Sequence, residues 1–252
     1  MSKELYLEDS YRQDYTSNVK LLNKDKVILE ETIFHPNGGG QPNDEGWLYQ
    51  NGKAYKVINV RKEGEEIIHY LEDADDLEED EVRMKINWSR RYNFMKYHTL
   101  LHLVAGHLYH EYGALAIGNQ IFENRARLDI DFRGGELDVD FHRVEEELNR
   151  LINEGRKMNI RNVERDSESI SEKIRTVINL IPASVKNIRL VAIENMDEQP
   201  CSGTHVNNIN EIGPFKISGN KSKGKGKRRL EFQLIGSPQK AVLDIEKSRI
   251  SL

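Results

Sequence analysis

The stretch NWSRRYNFMKYHTLLHLVAGHLYHEYG, residues 87–113, reads as a helix. Phe94, Tyr97, Leu101, Val104, Leu108 and Tyr112 recur at spacings of three and four, which lays them along one stripe, and Gly113 supplies a stop. The chain before it has a different period. Apolar-rich runs at Val27–Leu29, Trp47–Tyr49, Ala54–Val60 and Ile67–Leu71 are separated by Asn-Gly, Glu-Gly and Asp clusters, with Asn51-Gly52 as the best hairpin turn. Short strands at this spacing predict a small antiparallel β-barrel. The run Glu72–Glu81, eight carboxylates in ten residues, reads as a solvated loop or domain edge, because like charges repel and stay hydrated. The boundary is placed at residue 87, giving a barrel over 1–87 and a second domain over 88–252.

Beyond the helix, Arg127–Phe132 alternates strictly, with Leu128, Ile130 and Phe132 on one face, as a half-buried strand does. Val144, Leu148, Leu151 and Ile152 share a helical face that Gly155 ends, and a third helix is predicted near Ile170–Ile178. Asn187–Ile193 reads as a strand. Pro214–Ser218 and Arg228–Ile235 read as a strand pair joined by the loop Gly219–Lys227. The fold class is therefore α+β, helices against an antiparallel sheet following the barrel.

Composition narrows the function. The chain has 252 residues, 37 Lys+Arg, 42 Asp+Glu and a hydrophobic fraction of 37%, enough for a packed core. Its mean hydropathy of −0.69 and its lack of long apolar runs predict no membrane span. Met-Ser-Lys-Glu-Leu opens no signal peptide, so the expected location is cytoplasmic. Charge is uneven: residues 1–85 carry 11 basic and 20 acidic groups, residues 86–252 carry 26 and 22. One cysteine, Cys201, excludes an internal disulfide.

That cysteine belongs to a constellation. His98 and His102 lie four apart on the helix, so both imidazoles leave one face a turn apart. Cys201-Ser202-Gly203-Thr204-His205 repeats the spacing across a small turn. Chance supplies about 0.25 His pairs and about 0.03 Cys-His pairs of this spacing per chain, so the coincidence of both points to an N₃S site suited to Zn²⁺. Thr99 stands where a zincin needs Glu. A nucleotide deaminase needs a second Cys and a Glu, and only Pro200-Cys201 is present. Spacing leaves a structural and a catalytic zinc both open. His107, half a turn out of phase, and His110 read as non-ligands, while His35, His69 and His142 read as surface or loop residues.

Lys221, Lys223, Lys225, Lys227, Arg228 and Arg229 place six cations in nine residues. They fit a solvated hairpin tip or a contact to a phosphate backbone, and the second reading implies nucleic acid. Gly38-Gly39-Gly40-Gln41 could offer backbone N–H groups to a substrate phosphate, but it lacks the Lys-Ser/Thr of a mononucleotide loop.

Taken together, His98-Thr99-Leu100-Leu101-His102, Cys201-Ser202-Gly203-Thr204-His205-Val206, Glu211-Ile212-Gly213-Pro214-Phe215-Lys216-Ile217 and Arg228-Arg229-Leu230-Glu231 resemble the editing domain of alanyl-tRNA synthetases. With Gly38-Gly39-Gly40-Gln41 upstream, nearly the whole chain is similar to the freestanding medium-length AlaX-type editing proteins. The resemblance implies a threonyl/alanyl-synthetase second additional domain after a translation-protein-like barrel. It also implies hydrolysis in trans of tRNA(Ala) mischarged with serine or glycine, with zinc on His98, His102, Cys201 and His205. Thr99 and Gln120, where the family places residues lining the amino-acid pocket, become the candidates to read the seryl hydroxyl, and the glycine loop and basic cluster the tRNA-binding residues. The family's usual Cys-Gly-Gly-Thr-His here carries Ser202. Two other readings stay open, a non-catalytic RNA-binding module with structural zinc and an editor of seryl-tRNA(Thr).

Overall fold

The computed structural model describes residues 2–133, 138–165 and 185–236. Eight strands fill the first third: β1 (Lys3–Glu4), β2 (Asp14–Asn23), β3 (Lys26–Leu29), β4 (Glu31–Thr32), β5 (Gly46–Gln50), β6 (Lys53–Glu63), β7 (Glu66–Leu71) and β8 (Glu81–Ile86). Six of them close into a barrel in the order β2-β3-β7-β6-β5-β8, every neighbouring pair antiparallel. Alternation drives the closure. Along β8, Val82, Met84 and Ile86 are buried while Glu81, Arg83 and Lys85 face solvent, and the inward side chains of the other strands fill the same interior. At the β5–β6 turn Asn51 and Gly52 both take positive φ, 49° and 77°, the twist that a two-residue hairpin needs.

The sequence reading missed β2 and β8. Only Ser17 and Val19 of β2 are buried, so its inward face carries little apolar signal, and β8 begins inside the acidic run. His69 is also corrected. It is fully buried on β7 rather than exposed. Its Nδ1 faces the Val27 carbonyl at 3.1 Å and so carries the proton, and its Nε2 accepts from the Thr32 hydroxyl at 2.8 Å.

Burial holds the His69 pKa down at about 4, from an ordinary 6.5. The unfolded chain therefore binds a proton that the folded barrel refuses, so this contribution is complete above pH 6.5 and is lost as pH falls toward 4. Denaturant titrations at pH 7 and pH 5 should show about 2 kcal/mol of stability lost through this one group. The loss should shrink in His69→Gln; an unchanged pH slope in that variant would assign it elsewhere.

The remaining α-helices and strands among the described residues are α1 (Trp88–Tyr112), β9 (Leu115–Ile121), β10 (Ala126–Asp131), α2 (Phe141–Glu154), β11 (Met158–Glu164), β12 (Asn187–Ile193), β13 (Asp197–Pro200), β14 (Phe215–Ser222) and β15 (Lys227–Leu234). Asn87 caps α1 by accepting from the Arg90 amide at 3.2 Å, and Gly113 ends it in a left-handed conformation. The sheets run β14-β15-β10-β9 and β11-β12-β13, antiparallel throughout. Leu128 and Ile130 of β10, Leu230 and Phe232 of β15, and Val144, Leu148 and Ile152 of α2 close one core with α1.

Three expectations change. The α1 stripe is real, but the middle of the helix is buried on nearly all sides, which is how a central helix behaves. Gln120 lies on β9, a strand absent from the sequence reading, and Lys221 lies on β14 rather than in the hairpin loop. The helix expected near Ile170–Ile178 falls outside the described residues.

Candidate metal centre

Arg91, Met95, His98 and His102 step along one face of α1 at spacings of four, three and four. His98 is 4% exposed and His102 half-buried. Opposite them, the chain leaving β13 makes the turn that carries Cys201 and His205. Arg189 on β12 shapes this turn, its Nη1 donating to the carbonyls of Cys201 at 2.7 Å and Gly203 at 3.0 Å. A Cβ on Gly203 would stand 2.1 Å from His98 Cε1, so only glycine lets the turn close on the helix. Ser202 is exposed, which is why a side chain is tolerated there and not one residue later.

The ligand atoms of His98, His102, Cys201 and His205 all lie within 4.8 Å of one another. Cys201 Sγ is 3.5 Å from His98 Nε2 and 3.3 Å from His205 Nε2. A tetrahedral zinc with ordinary Zn–S and Zn–N bonds has an S···N edge of about 3.6 Å, so this pair of separations fits that ion. The far nitrogens are held as well. Gln41 Oε1 lies 2.8 Å from His98 Nδ1 and Thr99 Oγ1 lies 3.2 Å from His205 Nδ1. An acceptor at each Nδ1 fixes the tautomer that leaves Nε2 free to bind a metal.

Electrostatics agree. Burial, with smaller repulsion from neighbouring histidines and Arg189, holds His98 and His205 well below the usual range, so both stay neutral at physiological pH. Burial pushes the Cys201 thiol up, opposed by the Gly203 amide and Arg189, so a metal must displace its proton. His102 and Cys201 are only half-buried. The cluster therefore has an open side, where a substrate could approach.

The loop between β4 and β5 completes the cluster. Gln41 is fully buried; besides meeting His98, its Nε2 donates to Thr204 Oγ1 at 2.8 Å and its Oε1 accepts from the Thr204 amide at 3.1 Å. Asp44 and Arg91 form a fully buried ion pair beneath the loop. Against expectation His35 is buried too, packed edge-on to Tyr6 at 5.2 Å. A Cβ on Gly40, where φ is +84°, would fall 1.6 Å from Asn119 Oδ1, whereas Gly38 and Gly39 are exposed and meet nothing within 4 Å. The loop thus divides, its tip free and its Gly40-Gln41 end built into the cluster.

Thr99 is fully buried, its oxygen also accepting from the Val206 amide at 3.3 Å. Gln120 is half-buried with Nε2 donating to the Gly40 carbonyl at 3.4 Å. The basic cluster lies elsewhere. Asp131 of β10 pairs with Lys227, whereas Ala126, five residues earlier, pairs with Ile121 beside Gly40, so the basic hairpin is about 17 Å along the sheet from the loop. Arg229 is committed to Asp129 through two bonds of 2.7 Å, and Lys227 leans on Asp131 at 3.9 Å. Lys221, Lys223, Lys225 and Arg228 are exposed and form no short ion pair among the described residues, Lys223 acting on Asp129 only at longer range. The sequence reading overlooked Asp44, Arg91 and Arg189. Arg91 did leave a signal, a cation seven residues before His98 on the buried face.

Comparison with known proteins adds an independent line. Residues 188–231 match the family described as threonyl and alanyl tRNA synthetase second additional domain, and residues 6–90 match tRNA synthetases class II (A). The chain is similar to the alanyl-tRNA editing protein AlaX-M of Methanosarcina barkeri, 33% identical over 244 residues that cover 93% of this chain and all of the relative. The Methanosarcina mazei protein of the same name is 31% identical over 93% of this chain and 97% of its own. The alanine–tRNA ligase of Pyrococcus abyssi is 34% identical over 92% of this chain, which spans 26% of the ligase.

Proposed function

The chain belongs to the AlaX-M family of alanyl-tRNA editing proteins, and from that premise we propose that it hydrolyses the aminoacyl ester of tRNA(Ala) mischarged with serine, and secondarily with glycine. The observation that carries the reading is the convergence of His98, His102, Cys201 and His205 into a zinc-sized cluster with one open side. Bound there, zinc supplies Lewis acidity toward the ester or the attacking water. Gln41 and Thr99 hold the two buried imidazoles in the binding tautomer, and Arg189 holds the turn. Among the described residues the metal-sized group holds three histidines and a cysteine and no Asp or Glu, so no carboxylate is assigned as general base.

A pocket for alanine excludes neither serine, which only adds a hydroxyl, nor glycine, so a second site must reject alanine. It does so with a polar partner that alanine leaves unsatisfied. Thr99 is sealed against His205 and acts through it, which leaves Gln120, beside Gly40, to meet the seryl hydroxyl. The test is single-turnover deacylation of seryl- and alanyl-tRNA(Ala) with and without chelator. Seryl ester should be cleaved far faster, and chelation should abolish the difference. Gln120→Ala should lower the seryl-to-alanyl ratio about ten- to a hundredfold. Chelator-resistant deacylation would remove the metal from the reaction, and an unchanged ratio would remove Gln120 from discrimination.

A further inference from the structure

The basic hairpin is remote from the metal cluster, but another cationic surface begins beside it. Phe122, just after β9, donates its amide to the Arg125 carbonyl at 2.8 Å and closes a four-residue turn into β10. The Arg125 guanidinium carbon lies over the Phe122 ring, 4.2 Å from its centre, and that of Arg127 lies 6.0 Å from it. All three side chains are half-exposed. Neighbouring Arg90 is paired with Glu45 and Glu123, and Arg229 with Asp129. Arg125 and Arg127 form no ion pair within about 4 Å among the described residues; Arg127 stands opposite Glu231 in the register and acts on Asp129 at longer range.

We propose that Phe122, Arg125 and Arg127 form the docking surface for the single-stranded 3′ end of the RNA whose ester the metal cluster hydrolyses. The proposal rests on the editing reading above and names where that substrate lies. Two guanidinium groups gathered over one ring are cations that pair with phosphate oxygens, and the half-exposed ring offers a stacking face. Unpaired bases can stack on such a platform, whereas bases inside a duplex cannot. Placement is the stronger argument. The Ile121 amide donates to the Gly40 carbonyl at 2.8 Å, and the next residue, Gln41, touches His98. Phe122 is thus no more than about 13 Å along this path from Gln41. An esterified terminal nucleotide at the cluster would set its 5′ neighbours on this turn. The Lys221–Arg228 cations, farther along the same sheet, then suit the duplex backbone.

The test uses full-length zinc-loaded protein and two uncharged RNA hairpins of acceptor-stem sequence, one ending in four unpaired 3′ nucleotides and one blunt, titrated by fluorescence anisotropy across a salt series. In Arg125→Ser/Arg127→Ser the Kd for the tailed hairpin should rise about tenfold or more. Its log–log salt slope should fall by about 1.4, the value for two single-strand phosphate contacts. The blunt hairpin should bind as before. Zinc content and hydrolysis of seryl-adenosine, which lacks the neighbouring nucleotides, should also be unchanged. Arg125→Lys/Arg127→Lys should keep the slope but recover only part of the affinity, since it restores charge without the planar guanidinium; it also carries the comparison if the serine variant loses zinc. Unchanged affinity for the tailed hairpin, or equal weakening of the blunt one, would overturn the assignment. Failure of the wild type to deacylate seryl-tRNA(Ala) would instead overturn the editing reading.

Discussion

Cys201→Ser is expected to take bound zinc from one per chain to a small residual fraction and to lower deacylation of seryl-tRNA(Ala) by more than about a hundredfold. The scale follows from the neighbours: losing a hydrogen-bond partner behind a ligand costs about ten- to a hundredfold in metal affinity or activity, and losing the thiolate costs more, because a whole donor goes and with it the one soft, anionic ligand of the set. Gln41→Ala therefore serves as the graded comparison. It leaves all four ligands in place and removes only the acceptor 2.8 Å from His98 Nδ1. Its zinc affinity should fall within that ten- to hundredfold range, between wild type and Cys201→Ser. Affinity of the wild type should also weaken as pH falls. The thiol that burial pushes up must give up its proton, and acid competes for the imidazoles. Metal analysis by mass spectrometry beside single-turnover kinetics reads both quantities. Full zinc occupancy in Cys201→Ser would overturn the ligand set.

The candidate ligands His98, His102, Cys201 and His205 were legible as a cluster because their signal is local. A pair four apart on a helix, and another across a Ser-Gly turn, announce themselves without knowledge of the fold. The groups that hold those ligands were not. Gln41 is 57 residues from His98 in sequence and Thr99 is 106 from His205, and no periodicity links them. The glycine run drew attention to backbone N–H groups, although its structural weight rests on the buried amide that follows it.

The barrel was visible where strands alternate strongly, as in β7, and hidden in β2, where polar residues occupy inward positions. The buried histidines were misread for a related reason. His69 sits in the register of a buried strand, but its polar type suggested exposure; Thr32 and the Val27 carbonyl satisfy it. In the basic cluster, composition counted six equal cations, while strand pairing sets Arg229 against Asp129. Charge is read from sequence, and its neutralisation only from register.

Arg91→Met is expected to be the costliest single change outside the ligands, destabilising the protein by about 3–5 kcal/mol. The guanidinium donates to both carboxylate oxygens of Asp44 through Nε at 3.0 Å, to the Ser10 carbonyl at 2.9 Å and to the Ile33 carbonyl at 2.6 Å. One side chain thus ties three segments of the N-terminal third to the face of α1 that carries His98. Asp44 in turn accepts the His35 amide at 2.6 Å. Removing Arg91 leaves a fully buried carboxylate with no cation and frees the loop that presents Gln41. Arg91→Met/Asp44→Asn should cost clearly less than the sum of its two single changes, since the double variant has no stranded charge. Denaturant titration of the four proteins gives the coupling, and zinc titration of the same set tests its consequence at the cluster. Arg91→Met should weaken zinc binding although no ligand is touched, because the Gln41 amide that fixes His98 sits on the loop that Arg91 secures. A loss below about 1 kcal/mol with unaltered zinc affinity would mean that α1 and the barrel loop hold together without the pair, and that Gln41 reaches His98 unaided.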